Sequence, residues 1–356
     1  MPIDDPDSLR KHIELAIQVE LSTIPPYLYA MYSIADPESE AALLIRSIVA
    51  EEMLHAALAT NLLLAVGGKP RFDGTYYMPV YPMNLPHHKP PLTLDLAPCS
   101  LDLVENLFMR IEKPGVSGAP AEPDEYETLG QFYHALEQGL IEVSSQFDLF
   151  ADVNADAQMS EHAFYRPVAM DADDSGGLML IDGLVSAIEA IEIIVHQGEG
   201  LSHERWADPA HQELTHYHKL VLIRNGVSPL GAVHPVSVNP KAAGYPEDVR
   251  LVADLFNALY RAVYRAMGRI FAGGDDQPQA VGVLYLLMGD MLSQLGRFLV
   301  GQSLGNGLRA APTFEIYEFG DDALEEIEVM AHRSALTFAE LSPVYESIHG
   351  LRLILQ

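Results

Sequence analysis

The chain has 356 residues, of which 49% are hydrophobic, enough for two domains or for one large helical domain with a subdomain. Lys and Arg number 21 against 50 Asp and Glu, a formal charge of −29; that field repels phosphate backbones and anionic headgroups and argues against nucleic acid and membrane surfaces as partners. A single cysteine, Cys99, excludes an internal disulfide and a cysteine metal cage.

The opening MPIDDPDSLRK is acidic and polar, unlike a secretory leader, and no run of about 18 uncharged apolar residues suggests a membrane span; the expectation is a cytoplasmic protein. Residues 8–34 carry Ile13, Ala16, Ile17, Ile24, Tyr27, Leu28 and Met31 at helical spacing, with Pro25-Pro26 predicting a bend. That bend would free backbone carbonyls and open a channel beside Glu20. A second helix is expected from Asp36-Pro37 through Val66, ending at Gly67-Gly68.

Residues 69–98, rich in Pro, Tyr and Gly, read as a long crossover loop. Helices follow at 100–112 and 124–148, a loop at 149–177, and helices at 178–198 and 208–224. The Pro- and Gly-rich stretch 226–246 reads as a linker, followed by helices at 246–272, 277–304 and 320–348. No strand pairs are legible, so the fold class is all-α.

Two Glu-x-x-His pairs, Glu52–His55 and Glu213–His216, carry the chemistry. Residues three apart share a helix face, so carboxylate and imidazole can bind one ion together. Ile45, Ile48, Ala59 and Leu62 put the first pair on a buried face, where unpaired carboxylates would need cations. Glu20 lies on the inner face of the first helix, equidistant with Glu52 from the turn at Asp36. Downstream, Glu192 is better centred about the turn before Glu213, whereas Glu199 is flanked by Gly198 and Gly200. The residues alone leave both open, with His196 as an additional ligand or an orienting group. Glu51 and His218 fall on adjacent faces and are expected beside the ligands or at the surface. Glu, ExxH, Glu, ExxH on four helices is the ligand pattern of ferritin-like dimetal carboxylate bundles.

ELSTIPPYLYAMYS, EEMLHAALATNLLLAVGGKP, YETLGQFY, HQGEG and ELTHYHK, in that order over residues 8–226, resemble the ferritin-like family of iminophenyl-pyruvate dimer synthase domains of violacein- and rebeccamycin-type pathways. The resemblance implies a metal-dependent oxidase coupling amino-acid-derived imines in secondary metabolism. It implies Glu20, Glu52, His55, Glu199, Glu213 and His216 as ligands; Glu192 stays the alternative to Glu199 from its depth, and His196 an additional candidate. The chain departs from the family motif at Gln131, where glutamate is usual.

The expected architecture is a ferritin-like four-helix bundle, residues 1–226, with a crossover insertion at 67–177, and an added C-terminal helical subdomain, residues 227–356. The expected cofactor is two divalent ions, iron before manganese or zinc, since all three accept these donors. The expected partners are a small organic substrate with dioxygen or peroxide, and a second copy in a homodimer. The rival readings are a metal-handling ferroxidase or storage protein and a non-catalytic helical interaction protein.

Overall fold

The computed structural model describes residues 3–115, 119–160, 177–198 and 214–355. Its elements are almost all helical, with one two-residue ladder, Met83–Asn84 against Thr93–Leu94, inside the crossover. Tertiary packing creates that ladder; two residues leave no alternation to read.

Helix α1, Pro6–Ser33, starts on a capping box between Asp5 and Ser8. Helix α2, Glu40–Ala65, is capped by Ser39 rather than Asp36, because Pro37 and Glu38 form a turn first. The two helices pack along their length. Pro25 and Pro26 stay inside α1. Pro26 cannot donate to the Ser22 carbonyl four residues back; the Tyr81 hydroxyl of the crossover donates to it instead, at 2.7 Å. The proline pair therefore docks the crossover onto α1.

Helix α3, residues 101–111, contains a π-helical turn at Val104–Phe108. Helix α4, Leu129–Gln146, begins on a capping box of Thr128 and Gln131, which gives Gln131 a local role. Helices α5, Leu184–Gly198, and α6, whose described part is His216–Arg224, complete the bundle. The expected start at Asp208-Pro209 lies outside the described residues.

Helices α7, Glu247–Ala272, and α8, Gln277–Gly301, follow, then α9, Ala323–Thr337, and short turns to Leu355. The stretch 226–246 does not span solvent as a free linker. Its backbone bonds to the end of α1, through Ala35 N to Ala232 O and His234 N to Ser33 O, and the Tyr29 hydroxyl donates to Ser237 O. One continuous apolar core contains Tyr27 and Leu58 from the first segment and Phe256 and Leu295 from the last.

By length and composition alone, α2 and α8 could cross a membrane. The apolar window of α2 is 89% buried within the protein and that of α8 50%, so α2 is a core helix. At the seam between α1 and α8, a Cβ on Gly296 would meet Cε2 and Cζ of Tyr32 at 2.8 Å. Tyr32 is fully buried and cannot yield, so Gly296→Ala is expected to destabilise the protein by about 1–3 kcal/mol, read as a lower midpoint in urea unfolding.

Candidate metal centre

Helices α1, α2, α3 and α6 bring six charged or ionisable side chains to one dry point. Glu20, Glu51, Glu52, His55, Glu112 and His216 are all buried, none more than 3% exposed. Glu20 projects from α1 and Glu52 and His55 from α2, at the common depth their spacing from the turn implies. His55 Nδ1 lies 3.4 Å from Glu20 Oε2 and 3.9 Å from Glu52 Oε1. The same Glu52 oxygen lies 3.0 Å from Nδ1 of His216, which is 3.4 Å from Glu112 Oε2. The two imidazoles stack with centroids 5.4 Å apart.

Two clusters result, Glu20–Glu52–His55 and Glu52–Glu112–His216. Within each, the donor atoms lie within 4.8 Å of one another, and Glu52 belongs to both. Outward-facing atoms are held as well. His55 Nε2 is 2.9 Å from Gln197 Oε1, and His216 Nε2 is 2.8 Å from Glu51 Oε2. Neutral hydroxyls donate to the carboxylates: Tyr133 to Glu20, Thr23 to Glu52 and Tyr27 to Glu112.

The electrostatics match this crowding. Burial, then the charges of Glu112 and Glu20, push Glu52 up to about 7. Burial opposes the charge on His216, yet Glu112, Glu51 and Glu52 together raise it well above the ordinary imidazole value. Burial likewise opposes His55, but Glu20 and Glu52 raise it. Burial and the adjacent Glu112 and Glu20 carboxylates raise Tyr27 and Tyr133 well above the phenol range, so both remain neutral donors.

The donor set fits a hard or borderline divalent cation. Both ring nitrogens of His216 and Glu51 Oε2 are buried without an aligned hydrogen bond, although each has oppositely charged atoms at contact distance. Buried polar groups rarely stay unsatisfied in this way, and carboxylate with imidazole is a ligand chemistry that suits iron, manganese and zinc. A small cavity walled by Leu129, Gly130, Ile194 and Val195 opens onto Glu20, Glu52, His55 and Glu112.

Of the residues named from sequence, Glu20, Glu52, His55 and His216 come together. Glu199 and Glu213 lie outside the described residues. Glu192 does not reach the clusters: Ala187, Ile191 and Ile194 take the buried face of α5, leaving Glu192 exposed. His196 is half-buried and belongs to neither cluster. Gln131, the departure from the family motif, caps α4 and donates to Pro120 O instead.

Glu112 is the addition. It continues the buried stripe of Val104 and Phe108 at helical spacing, a signal present in the sequence but masked by its place at the helix end, before Lys113-Pro114. Glu51, next to Glu52, lies beside His216 and pairs with buried Lys219.

The ferritin-like family matches residues 13–225, more than half of the chain and the whole of the segment bearing these clusters. The chain belongs to the ferritin-like family. Among relatives of this ferritin-like chain, dichlorochromopyrrolate synthase of Lentzea aerocolonigenes is 24% identical over 89% of the chain. The 2-imino-3-(indol-3-yl)propanoate dimerase of Chromobacterium violaceum is 26% identical over 76%. These matches support the dimer-synthase type of ferritin-like protein that the five motifs resemble. The chain covers 36% and 29% of those two proteins, about a third of their length. The crystal structure of a ferritin-like protein from Caulobacter vibrioides superposes with a TM-score of 0.60 at 26% identity, covering 80% of this chain and 93% of that one.

Proposed function

We propose that this protein is a metal-dependent oxidoreductase that couples two molecules of a small amino-acid-derived imine, with two iron ions as the working metals. The reading rests on Glu52, one buried carboxylate shared by two histidine-bearing clusters. One ion would be held by Glu20, Glu52 and His55, the other by Glu52, Glu112 and His216. The ligands carried by the resemblance, Glu199 and Glu213, are part of the same proposal. Bound iron would supply the one-electron redox chemistry.

The chain's own residues do the rest. Tyr133 and Tyr27 donate to the carboxylates and hold their rotamers. Leu129, Ile194 and Val195 keep water from the mouth of the site. Joining two imine molecules through a new carbon–carbon bond removes two hydrogens. Peroxide would take up the two electrons and two protons as two waters, or dioxygen would leave as hydrogen peroxide. The relatives' names, a dimerase and a chromopyrrolate-forming synthase, favour coupling over iron storage.

The test is to load the protein with ferrous iron anaerobically and to add an aryl amino acid with an amino-acid oxidase, which forms the 2-iminocarboxylate as soon as dioxygen is present to take up its electrons as peroxide. Dioxygen is then admitted with and without catalase. The expected product has twice the monomer mass less two hydrogens, and the catalase arm tells which oxidant is used. Iron-loaded protein yielding only monomer-derived products would overturn the coupling reading.

A further inference from the structure

His216 differs from His55 in what stands behind it. His55 is backed by the neutral amide oxygen of Gln197. His216 is backed by the Glu51 carboxylate, whose other oxygen, Oε1, accepts from the Lys219 ammonium. All three side chains are buried: Glu51 is 1% exposed, His216 0% and Lys219 2%. Lys219 lies one helical turn after His216 on α6, and Glu51 immediately precedes Glu52 on α2.

A buried ion pair adds little to stability, since apolar side chains of similar volume commonly do as well. Its place here gives it a different use. We infer that Lys219 and Glu51 are positioning residues that make Nδ1 the metal-binding atom of His216, by holding Glu51 as the charged acceptor for Nε2–H. The inference rests on the proposed metal site and goes beyond it in assigning the backing pair.

Three features carry it. Lys219 neutralises Glu51 and occupies one of its oxygens, so Glu51 is not drawn forward as a ligand. The remaining oxygen stands 2.8 Å from Nε2, in contact with it but not aligned on its N–H; a neutral, metal-bound ring would turn its single hydrogen toward that oxygen and present the Nδ1 lone pair to Glu52 and Glu112. A carboxylate behind the ring also makes imidazole a better donor than an amide does. The two clusters are therefore chemically unequal, although both are built from carboxylates and one histidine.

The experiment uses the full chain with zinc, which is diamagnetic and redox-silent, so it reads binding without catalysis. The variants are Lys219→Met, Lys219→Arg and the double replacement Glu51→Leu with Lys219→Met. In ¹⁵N-histidine-labelled, zinc-loaded wild type, His216 is expected to show zinc on Nδ1 and hydrogen on Nε2. Lys219→Met alone leaves a lone buried carboxylate and is expected to lower the unfolding temperature.

The double variant removes both charges together, and its metal-free unfolding temperature, read beside the affinity, shows that it is folded. Its affinity for zinc at the His216 position is expected to fall about 10–100-fold, with Lys219→Arg retaining affinity. A double variant that keeps wild-type zinc affinity, or zinc found on Nε2, would overturn the inference and leave the metal centre standing. Wild type that takes up no zinc would overturn both.

Discussion

Glu52→Gln is expected to abolish metal binding at both clusters and, in the metal-free protein above pH 7, to raise thermal stability. Glu52 Oε1 faces Nδ1 of both histidines, so neutralising this one carboxylate removes a ligand charge from each group. In the metal-free protein the same carboxylate is a burden. Its displacement from 4.5 to about 7 means that ionising it in the folded state costs roughly 3 kcal/mol more than in water. Glutamine keeps an oxygen for the Thr23 hydroxyl and carries no charge that burial penalises. Differential scanning calorimetry at pH 8, with chelator and with excess ferrous or manganous ion, should show the variant melting above wild type with chelator and unmoved by metal. Retained metal stabilisation would mean that Glu52 is not the shared ligand.

The stability of the metal-free wild type, measured against Glu52→Gln, is expected to fall as pH rises from about 5 to 8, and that of the metal-loaded protein to hold or rise. In that comparison the opposite contributions of His12, His88 and His234, which burial lowers, cancel. Glu52, His55 and His216 all have folded-state values raised above their ordinary ones. Between the unfolded and folded values the native state binds more protons than the unfolded chain. The stabilisation from Glu52 is therefore complete below about 4.5 and lost through about pH 7; those from the histidines persist to higher pH and vanish in the same direction. Each proton contributes a slope of up to about 1.4 kcal/mol per pH unit. Glu51 acts oppositely: despite its burial, Lys219 and His216 hold it below its ordinary value, so its contribution is lost only in acid. Cations would replace the protons and remove the slope. Urea unfolding of both proteins at several pH values with chelator checks this, and a difference that is flat or rising across the window would contradict it.

These expectations depend on a bundle whose outline is legible in one dimension. Apolar spacing in α1 and α2, with the short connection between them, is sufficient for two antiparallel rods and for the common depth of Glu20 and Glu52. The ExxH spacing is likewise local, because three residues on a helix always share a face. What spacing cannot supply is the choice between candidate acids on different elements. Glu192 has the better depth, yet α5 buries Ala187, Ile191 and Ile194 and turns Glu192 to solvent.

Glu112 and Lys219 show the same limit from the other side. Glu112 sits at a helix end beside Lys113-Pro114, where periodicity fades, and only the packing of α3 against α6 brings it 3.4 Å from His216. Lys219 follows His216 by one helical turn, but spacing does not show the Glu51 carboxylate, far away in sequence, that lies opposite it in the core. The stretch 226–246 has the composition of a linker, but its backbone groups are bonded to α1. Helix periodicity follows from contacts within a few residues and survives in the linear chain. Desolvation and charge pairing arise only when distant elements meet, and they decide which acids face the site, which nitrogen faces the carboxylates and what stands behind it.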